Sequence, residues 1–178
     1  MKIETIKKIC KKTKEIFIYN NRYVSNGLCM VKFPDRIYPN TGNIFELLSI
    51  SEIESEKYQV YEFESVPPLF DGGDYAGEEM LQSLGVMIRY QGMDMLPMTD
   101  REKVYFVDAE YVRLMKPVMV RYALRGEDIA VFDGLVYLGT VKPVDMSASN
   151  LKHIFGKLAE MTESRGEEQM EIEEGANK

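Results

Sequence analysis

Short alternating runs that close on a glycine turn constrain this chain more than any other feature of its sequence. Residues 132–145, FDGLVYLGTVKPVD, contain a strand-like run, a turn at Asp133 and Gly134, and a second run that ends at Pro143. Residues 25–35, SNGLCMVKFPD, show the same pattern in a shorter form. Alternation predicts half-buried strands, and Asn-Gly or Asp-Gly pairs between such runs predict hairpins. The chain is therefore expected to build a largely antiparallel sheet.

The N-terminal part predicts one helix and one meander. Residues 4–15 carry apolar residues at helical spacing on one side and lysines on the other, which favours an amphipathic helix. Asn26 and Gly27 are expected to form a type I′ turn, because both residue types tolerate positive φ. Pro34 ends the meander, since it has no N–H to donate. The strands are expected over residues 16–19, around Tyr23 and over 28–33, with another turn at Asn20 and Asn21.

The middle of the chain gives more ambiguous signals. Ser51 followed by Glu54 matches a capping box, which predicts a short helix before a strand over residues 58–64. Residues 67–79 have the composition of a loop, rich in glycine and proline. A short helix is expected to follow around Glu78–Ser83.

The later half predicts a second helix with strands on both sides. Asp108 is placed to cap a helix that ends near Pro117. Strands are expected around a Gln91–Gly92 turn, directly before Asp108, and in three pieces over residues 118–142. A final helix beginning at Ser147 or Ser149 carries an apolar face formed by Leu151, Ile154, Phe155, Leu158 and Met161.

These elements predict an α+β fold in which antiparallel sheets carry helices on one side. A single domain is expected over residues 1–164, followed by an acidic disordered tail at 165–178 that has few apolar groups to offset the entropy of ordering it. The shared order of helix, strands and glycine turn suggests a duplicated helix-plus-meander unit, with half-repeats at about 1–64 and 84–145. Unrelated hairpins also favour glycine at their turns, so independent origin stays open as the alternative.

Charge is distributed unevenly along the chain. The net charge of −7 argues against a general nucleic-acid coat protein, because phosphate binding needs concentrated lysine and arginine. The first helix differs, since helical spacing gathers its lysines into one basic stripe facing away from the apolar side. The stripe consists of Lys7, Lys8, Lys11, Lys12 and Lys14. It is the candidate nucleic-acid-binding site and predicts weak, non-specific DNA binding, and a merely solvated helix face is the alternative.

No catalytic arrangement is recognisable in the sequence. The only histidine is His153, and neither a GxxxxGK[ST] phosphate loop nor a GxGxxG helix start occurs. Cys10 and Cys29 lack CxxC spacing and are not expected to form a structural disulfide. We therefore expect a protein that is not an enzyme and has no cofactor.

The loop FDGGDYAGEE holds the one cluster of hard oxygen ligands. Asp71, Asp74, Glu78 and Glu79 are of the type that Mg²⁺ and Ca²⁺ prefer. Their spacing does not match an EF-hand, so a solvated acidic loop is the favoured interpretation and no metal is assigned. Cation binding by this loop is the alternative, and an enzyme that uses the carboxylates of residues 71–79 with Mg²⁺ is a third hypothesis, ranked last.

Membrane association is not expected from the sequence. No apolar run approaches the roughly 20 residues that span a bilayer, and the N-terminal residues are charged where a signal peptide is apolar. We expect a cytoplasmic protein without a membrane partner.

A helix leading into an antiparallel meander, used twice, resembles the DNA sliding clamp, the processivity factor of replicative polymerases. The resemblance is carried by the lysine-rich helix with IFIYNNRYVSNGLCMVKFPD, and by DAEYVRLMKPVMVRYAL with DIAVFDGLVYLGTVKPVD. These stretches cover well under half of the chain. The chain is also similar to small uncharacterised proteins encoded by phages and prophages.

The resemblance implies helices that face DNA inside a ring of several copies, in a protein that is acidic overall. The second helix offers only Arg113 and Lys116 for such contacts. The expected function is a non-enzymatic, clamp-like accessory or binding protein of phage-type DNA metabolism, with DNA, a protein or further copies of itself as partner. The alternative is a protein-interaction or regulatory module without nucleic-acid contact, in which the acidic tail and methionine-rich strands meet another protein.

Overall fold

The computed structural model describes residues 2–66 and 77–146, together with Lys152, Ile154 and Gly156. Residues 2–66 and 77–146 form an α+β arrangement of four helices and eleven strands. The chain divides into one unit that ends at Val144 and a second that begins at Asp145. In the second unit, the three described positions 152, 154 and 156 are helical. The other residues of the predicted final helix and the predicted tail at 165–178 lie outside the described residues.

The N-terminal segment is a helix followed by a three-stranded antiparallel meander, as predicted. Its elements are α1 (Ile3–Thr13), β1 (Glu15–Tyr19), β2 (Tyr23–Ser25) and β3 (Cys29–Lys32). α1 ends because Lys14 adopts the left-handed conformation, with a φ of 63°, and donates its N–H to the Cys10 carbonyl. Asn20 and Asn21 both have positive φ, which confirms the predicted turn between β1 and β2.

Two short helices and one strand follow. They are α2 (Ile44–Leu47), α3 (Glu52–Ser55) and β4 (Gln59–Phe63). The Ser51 hydroxyl accepts the Glu54 N–H at 3.3 Å, which confirms the predicted start of α3. β4 pairs with β1 in parallel, so the sheet contains one parallel ladder beside the antiparallel ladders that were predicted.

The next four elements are all strands. They are β5 (Glu79–Ser83), β6 (Ile88–Tyr90), β7 (Met93–Thr99) and β8 (Val104–Asp108). The helix predicted around Glu78–Ser83 is therefore wrong. A helix of six residues gains few internal hydrogen bonds, whereas β5 pairs with β7 on one side and with residues 122–124 on the other. Only Leu81 of β5 is buried.

The last described elements again form a helix and a meander. They are α4 (Ala109–Met115), β9 (Val120–Arg125), β10 (Asp128–Asp133) and β11 (Val136–Val141). The Asp108 carboxylate accepts the Glu110 N–H at 2.9 Å, which confirms Asp108 as the helix cap. Gly134 has a φ of 59°, which a two-residue turn between β10 and β11 requires.

The sheet places the two meanders side by side. Its strand order is β4-β1-β2-β3-β11-β10-β9-β5-β7-β6, with β8 pairing on β7. The meanders meet through the antiparallel β3–β11 ladder, in which Val31 lies opposite Gly139. α1 and α4, which precede the two meanders, contact each other. The order helix, strand, strand, strand thus occurs twice, once on each side of the β3–β11 ladder.

The two faces of the sheet carry different clusters. The main core joins α1, α2 and α4 to one face, and residues such as Ile129 and Val131 of β10 point into it. Alternate residues point the other way. We call this second side the outer face; it carries a smaller cluster of Tyr23, Met30, Ala130 and Tyr137.

The β2–β3 turn does not form in the predicted way, in which Asn26 and Gly27 would both have positive φ. Gly27 has a φ of 84°, but Asn26 does not have positive φ and is fully buried. Its side-chain amide donates to the Ile9 carbonyl at 2.9 Å and to the Tyr111 hydroxyl at 3.0 Å. Its side-chain oxygen accepts the N–H groups of Leu28 and Cys29. Asn26 therefore connects α1, α4 and the turn, rather than serving as a conformationally permissive turn residue.

Candidate functional site

Helical spacing brings the predicted lysines to one side of α1. Three of them face the segment that contains α2 and α3. Lys7 Nζ donates to the Ser49 carbonyl at 2.5 Å. Lys11 Nζ and Lys14 Nζ lie 3.4 Å and 3.9 Å from the same oxygen of Glu54. The lysines therefore lie on the side of α1 that helical spacing predicts, but these three contact the segment that contains α2 and α3 rather than only solvent.

Lys12 lies on the neighbouring side of α1 and faces the start of α4. Its Nζ is 2.8 Å from a carboxylate oxygen of Asp108 and 2.6 Å from one of Glu110. The same nitrogen stands 4.3 Å from the centre of the Tyr111 ring. Partial burial lowers the pKa of Lys12, but the hydrogen bonds to the two carboxylates outweigh that effect and raise the pKa above its ordinary value. Lys12 is thus a cation held between α1 and α4.

The lysines of the stripe were expected to face solvent, but several of them form ion pairs within the protein. α1 lies between two acidic regions, α3 and the start of α4, and each supplies carboxylates to its lysines. Lys8 is exposed, and no partner for its Nζ occurs in the described part of the chain. Carboxylates within ion-pair distance cancel much of the potential that would attract phosphate. The stripe therefore offers less free positive charge than its sequence indicates.

The acidic loop is only partly covered by the structure. Asp71 and Asp74 lie outside the described residues. Glu78 accepts from Arg125 Nε at 3.2 Å and from Nη2 at 2.8 Å. Because Arg125 is almost completely buried, Glu78 is a counter-ion for that guanidinium. Over residues 2–66 and 77–146, no group of three or more side chains is arranged to hold a metal ion.

The two cysteine thiols lie in the protein interior. Cys10 and Cys29 are both buried and free. Burial raises the pKa of the Cys10 thiol to about 12 and that of Cys29 well above its ordinary value. Neither is expected to react as a thiolate near neutral pH. His153 lies outside the described residues.

The structure shows one exposed apolar site that sequence reasoning missed. Four side chains at one end of the β9–β11 meander are 64–88% exposed. We call them the apolar tip; they are Val118, Met119, Leu135 and Val136. Runs of apolar residues beside a proline and a glycine turn predicted strands, in which alternation would bury about half of the side chains. The available signal was their position at the turn itself, where a strand has no neighbour to cover them.

The backbone beneath the apolar tip is fixed by three hydrogen bonds. One carboxylate oxygen of Asp133 accepts the N–H groups of Val118 and Met119, at 3.1 Å and 2.8 Å. The Gly134 N–H donates to the Met119 carbonyl at 2.8 Å. The segment before β9 and the β10–β11 turn are thereby joined. The tip is therefore formed by two segments that these hydrogen bonds hold together.

Comparison with known proteins gives no relative. No protein-family model, curated protein or solved structure matches the chain. Among the described helices, none combines the length and the apolar character needed to cross a membrane.

Proposed function

We propose that this protein is a non-enzymatic interaction module that inserts its apolar tip into an apolar groove of a partner protein. The observation that supports the proposal is the exposure of four apolar side chains on two segments that hydrogen bonds hold together. Burying apolar surface contributes about 25 cal/mol per Å². A backbone that is already ordered lowers the entropy cost of binding. Contiguous exposed apolar groups of this kind are typical of interaction sites.

The charges beside the apolar tip indicate what charge the partner's groove should carry at its rim. Lys116 and Arg121 flank the tip and are exposed. Arg121 donates to the Gly134 carbonyl at 3.4 Å, which keeps its guanidinium next to the tip. The carboxylate of Asp133 is already engaged by two backbone N–H groups. We infer that the partner groove has an acidic rim, because opposite charges at a rim speed association and fix orientation.

The double variant Val118→Ser with Leu135→Ser tests this proposal. We expect the affinity for the partner to fall at least tenfold, about 1.4 kcal/mol, because the tip loses two of its four apolar groups. The free energy of unfolding should change by less than about 0.5 kcal/mol per site, since both side chains are exposed. The partner would be captured from the native host with the wild-type chain, purified, and titrated calorimetrically with both proteins.

The variant Ile53→Ser is the matched control, because Ile53 is 80% exposed but lies on α3. It should bind the purified partner as the wild type does. Equal affinity of the wild type and the tip variant would contradict docking through the tip. An equal loss in the Ile53 variant would also contradict it.

We also propose, as a second candidate, a clamp-like accessory role in phage-type DNA metabolism. One observation favours it: the helix-plus-meander order occurs twice, with the two helices adjacent and the meanders joined edge to edge. Sliding clamps present paired helices to DNA in this manner, in rings that need several copies of a chain this short. Lys8 would then contact phosphate directly, and the other lysines of the stripe would do so when phosphate displaces their present partners.

The variant Glu54→Gln separates the two candidates. It removes the partner of Lys11 and Lys14 while keeping the backbone N–H that Ser51 caps. If the stripe binds duplex DNA, fluorescence anisotropy should show tighter binding and a steeper salt dependence by about two units of slope. Glu56→Gln, an exposed neighbour, makes the same change in net charge and is the control. The absence of salt-sensitive binding in the wild type and both variants would exclude the clamp-like role.

A further inference from the structure

A cavity on the outer face has the features of a ligand site. Its volume is about 590 Å³. It is bounded by β1, β2, β3, β11 and the β9–β10 turn, and its lining includes Phe17, Tyr19, Ser25, Asp128, Thr140 and Lys142. Three strands separate β1 from β10 in the sheet, so the sheet bends enough to bring both to one cavity. Small-molecule sites usually measure roughly 300–1,000 Å³ and combine apolar walls with a few polar groups.

Asp128 is a largely buried acidic side chain that lines this cavity. It is 7% exposed, and its carboxylate has no hydrogen-bond or ion-pair partner among the residues that the structure describes. Burial raises the pKa of Asp128; Lys142 opposes this shift and Glu127 adds to it. The carboxyl therefore favours folding only when protonated, and that contribution is lost as the pH rises above its ordinary pKa. Near neutral pH, a largely buried carboxylate without a hydrogen-bond or ion-pair partner lowers the stability of the protein.

The walls around Asp128 favour a cation over an anion. Phe17 stacks on Tyr61 with ring centres 5.0 Å apart, and Phe17 is part of the cavity wall. The faces of aromatic rings attract cations. Lys142 also lines the cavity, but it is exposed, and water screens its charge more than that of a buried carboxylate.

We propose that this cavity binds a small molecule that carries an ammonium or guanidinium group on an apolar or aromatic body, with Asp128 as the residue that recognises the cation. The aromatic wall and the Ser25 and Thr140 hydroxyls accommodate the rest of the molecule. The site is separate from the apolar tip, so ligand binding and protein docking are independent properties of the fold.

Calorimetric titration of the full chain tests the site. The probes are tyramine and agmatine as cations, with 4-ethylphenol and 3-(4-hydroxyphenyl)propionate as neutral and anionic analogues of tyramine. We expect at least one of the two cations to bind at least tenfold more tightly than either analogue. The double variant of the apolar tip should bind the cations as the wild type does.

The variant Asp128→Asn should lose this preference for cations. It should also unfold at a higher temperature than the wild type near neutral pH, so that lost binding cannot be attributed to misfolding. Glu56→Gln, which removes an exposed charge outside the cavity, is the control and should change cation affinity by less than about threefold. The proposal is overturned if neither cation binds at least tenfold more tightly than both analogues, or if Asp128→Asn binds both cations as the wild type does.

Discussion

Replacing Asn26 with alanine should lower the free energy of unfolding by about 4 kcal/mol, because four hydrogen bonds disappear from a fully buried site. The Ile9 carbonyl and the Tyr111 hydroxyl lose their donor, and two backbone N–H groups lose their acceptor. Each buried polar group left without a partner costs about 1–3 kcal/mol. Urea denaturation followed by circular dichroism measures the change.

The variant Asn26→Gly distinguishes this role from a conformational one. If Asn26 served mainly to allow positive φ, glycine would be neutral or stabilising there. We expect Asn26→Gly to be at least as destabilising as alanine, since the same hydrogen bonds are lost. Asn21→Gly is the control, because Asn21 does have positive φ, and it should be nearly neutral. Wild-type stability of Asn26→Gly would refute the connecting role of the side chain.

The variant Gly139→Ala should destabilise the protein by about 3 kcal/mol or more. A Cβ added at Gly139 would stand 2.2 Å from the Met30 carbonyl oxygen, and 3.1 Å from both Met115 Cε and Val31 Cγ1. The first of these atoms is backbone in the β3–β11 ladder and cannot rotate away. The two meanders would have to separate at the point where they join. Thermal unfolding should shift downward by about 10 °C.

The variant Gly134→Ala lies in the same hairpin and is the matched control. Gly134 has positive φ, but no atom lies within 4 Å of an added Cβ. Alanine at this position should therefore cost only the strain of the left-handed conformation, about 1 kcal/mol. A Gly139→Ala variant that is no less stable than Gly134→Ala would show that β3 and β11 do not approach as closely as described.

The elements that sequence analysis located correctly are those specified by nearby residues. Asp108 and Ser51 cap helices through side chains that reach only two or three residues along the chain. Glycine and asparagine at turns set local φ in the same way. Such signals lie within one short segment, so the sequence shows them directly.

The features that were missed depend on residues far apart in the chain. Lys12 meets Asp108 across 96 positions, and Asn26 meets Tyr111 across 85. β5 is a strand because distant strands supply its hydrogen bonds, while its own residues have no clear period. Local patterns carry no information on which carboxylate a lysine will meet. The sequence therefore predicted the position of the basic stripe but not the ion pairs of Lys11, Lys12 and Lys14 that partly neutralise it.

The ladder between β3 and β11 has a consequence for how the chain folds. It joins residues more than one hundred positions apart, so forming it carries a large loop-closure entropy. The hairpins within each meander involve neighbouring strands and can form early. The main core, however, takes residues from both meanders, including Val31 of β3 and Val141 of β11. Neither half completes a core alone, so we expect the distant β3–β11 pairing to limit the folding rate and both halves to become stable together.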